Sequence, residues 1–247
     1  MSKIQDVKIP ALPGDVIVNQ YTGHLRIATG ISPTEDDAFI VTRTGYVRKS
    51  GFAGSSFARP ILWVDSNSKR YEPQVEDMII GTITEKTPDS YKVDIGGRHG
   101  VLSNIAFDGA TRKNRPMLDV GSMVYCRVSV VNKYLDPELS CMSLVNKRDW
   151  VTGESVFGEL KGGTVVKVSI RFAHELMGEN PQVLDIIGNK LRFEIAIGVN
   201  GIIWINSDHV RVTIIISNIL SKVDKDRDTD VDTLLDRAVR VFGVTPN

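Results

Sequence analysis

The residue types that most often carry out catalysis or bind metals are dispersed along this sequence. Its histidines show neither HExxH spacing nor that of a paired ligand set, and Cys126 and Cys141 are fifteen residues apart with no CxxC motif. The four histidines are His24, His99, His174 and His209. No GxSxG, P-loop or GxGxxG motif occurs. These residues give no support for a hydrolytic or redox mechanism, and we expect neither a cofactor nor a metal bound by histidine or cysteine.

Two acidic stretches near the C-terminus are the remaining candidates for a metal site. The stretch DVDTLLD (230–236) has the spacing of an amphipathic helix, on which the carboxylates form a solvated face. The stretch DKDRDTD (224–230) lacks the glycine and the closing glutamate of an EF-hand loop. We interpret both as solvated surface.

Composition limits the class of protein. The 247 residues are enough for two domains or three small ones, and 30 basic residues balance 30 acidic ones. Any contact with nucleic acid must therefore come from a local patch. The two cysteines are too few for a disulfide scaffold, and no apolar run approaches the ~20 residues of a membrane span. These features predict a soluble, intracellular protein with buried thiols.

The pattern of strands and helices divides the chain into three segments: 1–70, 71–147 and 148–247. The fold class expected is mostly β with a C-terminal α+β domain. In the first segment LPGDVIV, LRIATGI, AFIVTRTGYVRK and PILWVDS predict short strands of a small β domain. The tract KSGFAGSSFARP (49–60) has no periodicity and is predicted to be a mobile loop.

The second segment predicts a five-stranded barrel of the OB type. MIIGTITE, SYKVDIGG, GVLSNIAF, SMVYCRVSVV and LSCMSLV are strand-like and separated by glycine-containing bends. Its loop GATRKNRP (109–116) concentrates Arg112, Lys113 and Arg115 within four positions. Charge alone leaves open whether this loop is merely solvated or contacts a phosphate backbone.

The third segment mixes helices with strands. TVVKVSI and KLRFEIAI predict strands, RFAHELM a short helix, and Ser207 the N-cap of a helix over DHVRVTIIISNILSKV. KDRDTD (225–230) predicts a charged turn before a last helix, in which apolar residues recur with helical spacing from Val231 to Phe242.

Residues 198–201, Gly-Val-Asn-Gly, match the GxxG spacing of a nucleic-acid clamp of the KH type. Such a clamp joins two helices, whereas RFEIAI before it and IIWI after it are both strand-like. Asn200-Gly201 is also a strong signal for a type I′ hairpin, in which both positions have positive φ. The sequence therefore predicts a hairpin turn and not a clamp.

Three stretches taken together resemble one known family. KRYEPQVEDMIIGTI…SYKVDIGG, FDGATRKNRPMLDVGSMVYCRV…PELSC and FEIAIGVNGIIWI are similar to the non-catalytic cap subunits of the RNA exosome, of the ribosomal RNA-processing protein 40 type (exosome component 3). The resemblance covers residues 60–220 strongly and the first 60 weakly. It implies an N-terminal β domain, an S1 domain of the OB type and a KH domain. It also implies that Gly198, Asn200, Gly201 and Trp204 belong to a structural element packed between the S1 and KH domains.

The sequence departs from ordinary S1 domains where they stack bases. Asp89 and Lys92 occupy the aromatic places, Ser103 stands where a histidine would lie, and Tyr91 is either a stacking residue or part of the core. Electrostatic contact with phosphates remains. The candidate RNA-binding residues are Lys92, Arg98, Arg112, Lys113 and Arg115.

The resemblance implies a non-catalytic, RNA-binding subunit that stabilises a ring of RNase PH-like subunits. It would guide single-stranded RNA into the central channel for 3′→5′ processing and degradation. Its partners would be the ring subunits, the other cap subunits and RNA, in the nucleus, nucleolus and cytoplasm. Two alternative functions each need features that the sequence does not show. A free-standing S1/KH factor of translation or mRNA regulation would need stacking aromatics or a helix-flanked GxxG. An RNA-processing enzyme would need a carboxylate or metal-ligand cluster on the barrel loops.

Overall fold

The computed structural model describes residues 9–17, 26–27, 30–34, 38–50, 61–66, 70–132, 134–143, 156–178, 181–226 and 229–242. The chain divides into two compact units, residues 1–67 and 68–247. The predicted fold class, mostly β with a C-terminal α+β region, is confirmed. Within the described ranges no helix has the length and apolar character needed to cross a membrane.

The first unit is built from short strands in two small sheets. Its strands are β1 (Ile9–Ala11), β2 (Val16–Ile17), β3 (Arg26–Ile27), β4 (Ile31–Pro33), β5 (Phe39–Val41), β6 (Gly45–Ser50) and β7 (Ile61–Asp65). One sheet has the order β1-β6-β7-β3 and the other β2-β5-β4. The shared core consists of Ala11, Ile31, Val41, Val47, Leu62 and Val64.

The mobile loop predicted for 49–60 is wrong at its first two residues. Lys49 and Ser50 complete β6 because they pair with Leu62 and Ile61 of β7. Residues 51–60 lie outside the described part of the chain, as does His24.

The second unit begins with the predicted five-stranded barrel. Its strands are β8 (Met78–Lys86), β9 (Ser90–Asp94), β10 (His99–Phe107), β11 (Met123–Val130) and β12 (Glu138–Cys141). Strand β12 closes the barrel because it pairs in parallel with β10 and antiparallel with β11. Buried and less buried residues alternate along β11, so every second side chain enters the core. Both cysteines are buried free thiols in that core, as predicted.

After the barrel the chain returns to it with a further strand, β13 (Gly158–Leu160). This strand pairs with Met123–Tyr125 of β11, and the preceding Phe157 packs on Tyr125 with ring centroids 5.3 Å apart. Residues 157–160 were predicted in the third segment, yet they are attached to the barrel. The buried aromatic ring of Phe157 anchors this segment in the barrel core.

The α+β region follows with strands and helices in the order βααββαα. Its elements are β14 (Thr164–Lys167), α1 (Ile170–Leu176), α2 (Gln182–Lys190), β15 (Glu194–Ile197), β16 (Ile202–Asn206), α3 (Val210–Lys225) and α4 (Val231–Phe242). The antiparallel sheet has the order β14-β16-β15, and apolar side chains from the sheet and the helices share one core. Helix α2 was not predicted, whereas α1, α3, α4 and the strands were.

The predicted N-cap of α3 is wrong. Helix α3 begins after His209, which makes no capping hydrogen bond through its side chain. The Ser207 hydroxyl instead donates to the carbonyl of Arg192, 2.9 Å away, and so ties the end of the sheet to the chain before β15.

The acidic stretch on α4 connects two helices. Lys190 at the end of α2 donates to Asp232 at 2.6 Å and to Asp236 at 2.7 Å. These hydrogen bonds raise the pKa of Lys190 and lower that of Asp236. The carboxylates of this stretch therefore serve an α2–α4 contact.

Candidate nucleic-acid interface

The basic loop between β10 and β11 forms a closed turn that presents two cations. The backbone N–H of Thr111 donates to the carbonyl of Asn114 at 2.8 Å, and the N–H of Asn114 donates to the Thr111 hydroxyl at 3.1 Å. Arg112 and Lys113 are the central residues of this turn, and both are exposed. The arrangement places two positive charges side by side in solvent.

Both flanks of this turn are attached to the barrel. On one side, the buried carboxylate of Asp108 accepts from the N–H of Ser143 at 2.9 Å. On the other side, the half-buried Arg115 donates from its guanidinium to the carbonyl of Pro88 at 3.1 Å. Arg115 is thus engaged with the β8–β9 turn, unlike its two basic neighbours.

The other two candidate residues lie on strand β9 and in the turn that follows it. Lys92 lies on β9, where its ammonium is 3.5 Å from the carboxylate of Glu85. Arg98 follows β9, whereas Pro88, the partner of Arg115, precedes it. A five-residue strand separates these ends by about 17 Å at the usual rise per residue. The five predicted residues are therefore spread along the barrel.

Tyr91 belongs to the barrel core and does not form a stacking platform. Its ring is 2% exposed, and its hydroxyl donates to the carbonyl of Pro116 at 3.0 Å and accepts from the N–H of Leu118 at 3.2 Å. The signal for this placement is present in the sequence, because Tyr91 and Val93 alternate inward along β9 and the buried Ile95 continues the alternation just after it. The role of the Tyr91 hydroxyl as an anchor of the basic loop was missed.

The GxxG at 198–201 lies in the turn that joins β15 to β16, where it contacts the barrel. The Asn200 side chain donates to the carbonyls of Ile80 at 2.8 Å and Ile95 at 3.0 Å, and accepts from the Ile80 N–H at 3.4 Å. Its backbone neighbour Val199 donates to the carbonyl of Met78 at 2.8 Å. Because Asn200 is 4% exposed, its carboxamide is not available to a nucleic acid.

The position of Asn200 explains why an amide is used. The last β8–β9 pair on this side is Thr82 with Asp94, so Ile80 and Ile95 lie just beyond the end of the ladder. The Asn200 carboxamide bonds to polar backbone groups of both strands there. A side-chain amide thus supplies hydrogen bonds that a neighbouring strand would otherwise supply.

The turn itself is not of the predicted type I′. Of its two predicted left-handed positions, only Gly201 has positive φ, +77°, while Asn200 does not. The N–H of Gly201 donates to the carbonyl of Gly198 at 3.0 Å, and Gly198 donates to Ile202 at 2.8 Å. This pattern is a three-residue hairpin loop ending in a left-handed glycine. The turn type differs from the prediction because the Asn200 side chain is buried against the barrel. The backbone of Asn200 takes the conformation that allows this contact.

Both glycines of the motif lie too close to neighbouring backbone to carry a side chain, and the indole of Trp204 makes its hydrogen bond within the α+β region. A Cβ on Gly198 would be 2.8 Å from the Ile80 nitrogen, and one on Gly201 would be 2.5 Å from the Val168 carbonyl oxygen. The Trp204 indole N–H donates to the carbonyl of Gly162 at 2.9 Å, within the α+β region. The described contacts of Trp204 therefore brace β16 against the chain before β14.

The remaining reactive groups show no constellation in the described part of the chain. There, no three histidine, cysteine or acidic side chains are grouped closely enough to hold a metal ion. Burial raises the pKa of the Cys126 thiol to about 12 and also raises that of Cys141. Both thiols are kept protonated and away from solvent. His99, His174 and His209 are all exposed.

A closed OB-type barrel joined to a βααββα domain defines the S1–KH class of nucleic-acid-binding architectures. Family models agree: "Exosome complex component RRP40, S1 domain" matches residues 71–153, and "KH domain" matches residues 163–211. The helix-to-helix connection, Met177-Gly178-Glu179-Asn180-Pro181, contains no GxxG. The KH clamp position is thus without its usual motif.

Sequence relatives extend the match over most of the chain. A Dictyostelium discoideum protein assigned as exosome complex component rrp40 is 38% identical over 231 residues, 93% of this chain and 92% of the relative. Exosome complex component rrp40 of Schizosaccharomyces pombe is 34% identical over 82% of this chain and 81% of its own length. Exosome complex component RRP40 of Homo sapiens is 35% identical, over 74% of this chain and 65% of its own. The chain belongs to the exosome complex component RRP40 family.

A solved structure supports the fold. A crystal structure assigned as an exosome complex RNA-binding protein superposes with a TM-score of 0.57 at 21% identity, covering 70% of this chain and 98% of the other. At this identity the match concerns the fold alone.

Proposed function

We propose that this chain is an RNA-binding cap subunit of the RNA exosome. In this role it sits on the ring of RNase PH-like subunits, stabilises the ring, and guides single-stranded RNA toward the central channel for 3′→5′ processing and degradation. Membership of the exosome complex component RRP40 family supports the assignment to that complex.

The observation that carries the RNA contact is the closed turn at residues 111–114. It holds the exposed Arg112 and Lys113 side by side, which suits neighbouring phosphates of a single strand. Tyr91 is buried, and Asp89, Lys92 and Ser103 replace the residues that stack bases in ordinary S1 domains. We therefore assign electrostatic contact to the backbone, with little preference for sequence.

The barrel–KH junction has a different role in this proposal. Asn200 joins the barrel to the α+β region through buried hydrogen bonds to Ile80 and Ile95, and Gly198 lets the turn lie close to the Ile80 backbone. These contacts keep the two domains in one arrangement. The N-terminal domain and apolar surfaces of the other two would contact the ring. The subunit itself performs no chemistry and contributes RNA guidance to catalytic partners. It acts in the nucleus, nucleolus and cytoplasm, where a fluorescent fusion should be found.

The first experiment is purification of the tagged full-length protein from its own cells, with RNase treatment and mass spectrometry of the proteins that remain. We expect RNase PH-like ring subunits and other cap subunits to be recovered. Recovery of the protein alone, or only with ribosomes when RNA is spared, would instead support a free-standing S1/KH factor.

The RNA contact is tested separately in the reconstituted complex. The double variant Arg112→Gln/Lys113→Gln should reduce ultraviolet crosslinking of RNA to this subunit while leaving assembly intact. Lys222→Gln/Lys225→Gln, which removes the same charge from the end of helix α3, is the matched control and should leave crosslinking unchanged. Equal crosslinking in the two double variants would overturn the assignment of the turn to RNA.

A further inference from the structure

We infer that Tyr91 and Arg115 are positioning residues that hold the 111–114 turn in place, and that Arg112 and Lys113 alone supply its phosphate contacts. This inference rests on the proposed function and divides the basic loop into two tasks. Arg115 was grouped with its basic neighbours in the sequence, but its contacts separate it from them.

Tyr91 fixes the chain immediately after the turn. Its phenol ring is packed in the barrel core, and only its hydroxyl reaches the loop, where it binds the carbonyl of Pro116 and the N–H of Leu118. Pro116 is buried and Leu118 is 1% exposed, so neither backbone group has free access to water. Loss of the hydroxyl leaves both without their partner and releases this side of the loop.

Arg115 fixes the loop to the neighbouring β8–β9 turn. Its guanidinium donates to the carbonyl of Pro88, which also accepts from the side-chain amide of the buried Asn104 at 2.8 Å. The Asn104 N–H in turn donates to the carbonyl of Asp89 at 3.1 Å. The guanidinium thus joins a small network that links the β8–β9 turn to the buried Asn104 of strand β10.

The consequence concerns the cost of binding. A free loop loses backbone entropy at every residue that a ligand fixes. The anchors at Pro116–Leu118 and Pro88 impose part of that ordering before RNA arrives, so more of the phosphate attraction appears as affinity. Arg112 and Lys113 carry the charge, and Tyr91 and Arg115 determine where it is held.

The test compares Tyr91→Phe with Tyr125→Phe in the full-length protein. Both remove one phenolic hydroxyl from the same barrel, but that of Tyr125 contacts the sulfur of Met78 at 3.5 Å and not the loop. Hydrogen exchange of the segment 109–118 measures loop order. Fluorescence anisotropy with a labelled oligoadenylate at several salt concentrations measures affinity and its salt dependence.

We expect Tyr91→Phe to speed exchange of the Leu118 amide and to weaken binding about fivefold, with a salt slope closer to wild type than that of Arg112→Gln. Tyr125→Phe should change neither property. A second pair separates charge from geometry: Arg112→Lys should bind nearly as well as wild type, whereas Arg115→Lys should weaken binding, because lysine lacks the planar donor group that reaches Pro88.

The outcomes distinguish the inference from the function on which it rests. If Arg112→Gln/Lys113→Gln binds RNA as wild type does, the proposed RNA contact itself fails. If that variant loses binding while Tyr91→Phe and Arg115→Lys bind normally, only the positioning role fails. Unchanged exchange of residues 109–118 in Tyr91→Phe would also overturn it, whatever the RNA affinity.

Discussion

The 111–114 turn and the 198–201 turn both contact the barrel, and both carry residue types associated with nucleic-acid binding. Burial separates them. Arg112 and Lys113 are exposed, whereas Gly198, Asn200 and Gly201 are all buried. The comparison teaches that a short motif acquires its role from what surrounds it: a GxxG covered by a barrel is a joint between domains.

The two turns also differ in the physics of their contacts. The 198–201 turn uses hydrogen bonds to backbone groups that have no access to water, so each lost bond has a large cost. The 111–114 turn carries charges in solvent. Their interactions with each other and with the rest of the protein are weak and are screened by salt. Substitutions at the first turn should therefore change stability, and substitutions at the second should change binding.

The largest effect is expected from Asn200→Ala. It removes three hydrogen bonds and leaves backbone polar groups of Ile80 and Ile95 unpaired in a buried site. We expect the free energy of unfolding to fall by about 3–5 kcal/mol in total. Urea denaturation followed by circular dichroism should show this loss. Asn206→Ala, which removes a longer 3.4 Å contact to Glu194, is the control. Equal losses in the two variants would contradict the special role of Asn200.

A somewhat smaller effect is expected from Gly201→Ala. The added Cβ lies 2.5 Å from the Val168 carbonyl oxygen in a backbone of φ +77°, so both a clash and a disfavoured conformation result. We expect a loss of about 2–4 kcal/mol, with RNA affinity of the remaining folded protein unchanged. A variant as stable as wild type would show that the turn adapts and is not a rigid joint.

At the other turn, Arg112→Gln/Lys113→Gln should leave stability within about 0.5 kcal/mol of wild type. RNA affinity should fall about tenfold at low salt, and the slope of log K against log salt should become shallower by about 1.4, the value for two phosphate contacts on a single strand. Anisotropy titrations at several salt concentrations measure both. A loss of affinity with an unchanged slope would indicate that the turn contacts RNA without neutralising phosphates.

Local patterns in the sequence predicted most of the elements on which this comparison depends. The alternation along the barrel strands and the helical spacing from Val231 to Phe242 report burial directly, because each depends only on near neighbours in the chain. Helix α2 was missed because it is nine residues long, contains Gly188 and has a proline for its N-cap. Propensity alone is weak evidence for so short a helix.

Contacts distant in sequence were beyond such reasoning. Asn200 and Ile80 are 120 residues apart, and no local pattern near Asn200 signals that its amide meets a barrel strand; only the family resemblance implied a place between the two domains. The same limit explains why the type I′ turn at Asn200-Gly201 and the Ser207 N-cap of α3 were wrongly predicted. In each case a contact with a distant segment selected the backbone geometry, and it overrode a valid local preference. Arg115 is the corresponding case in the basic loop, where a carbonyl 27 residues away distinguishes it from its neighbours.

The smallest effect on stability is expected from Gly188→Ala, a substitution that should stabilise the protein where Gly201→Ala destabilises it. Gly188 lies in α2 with nothing within 4 Å of the position of an added Cβ, and its backbone does not have the positive φ of Gly201. Alanine there should raise the free energy of unfolding by about 0.5–1 kcal/mol, because it restricts the unfolded chain and favours the helix. Urea denaturation of Gly188→Ala beside Gly201→Ala should give changes of opposite sign. Destabilisation by both would mean that the loss at Gly201 reflects a general intolerance of the α+β region to added methyl groups and not the geometry of the joint.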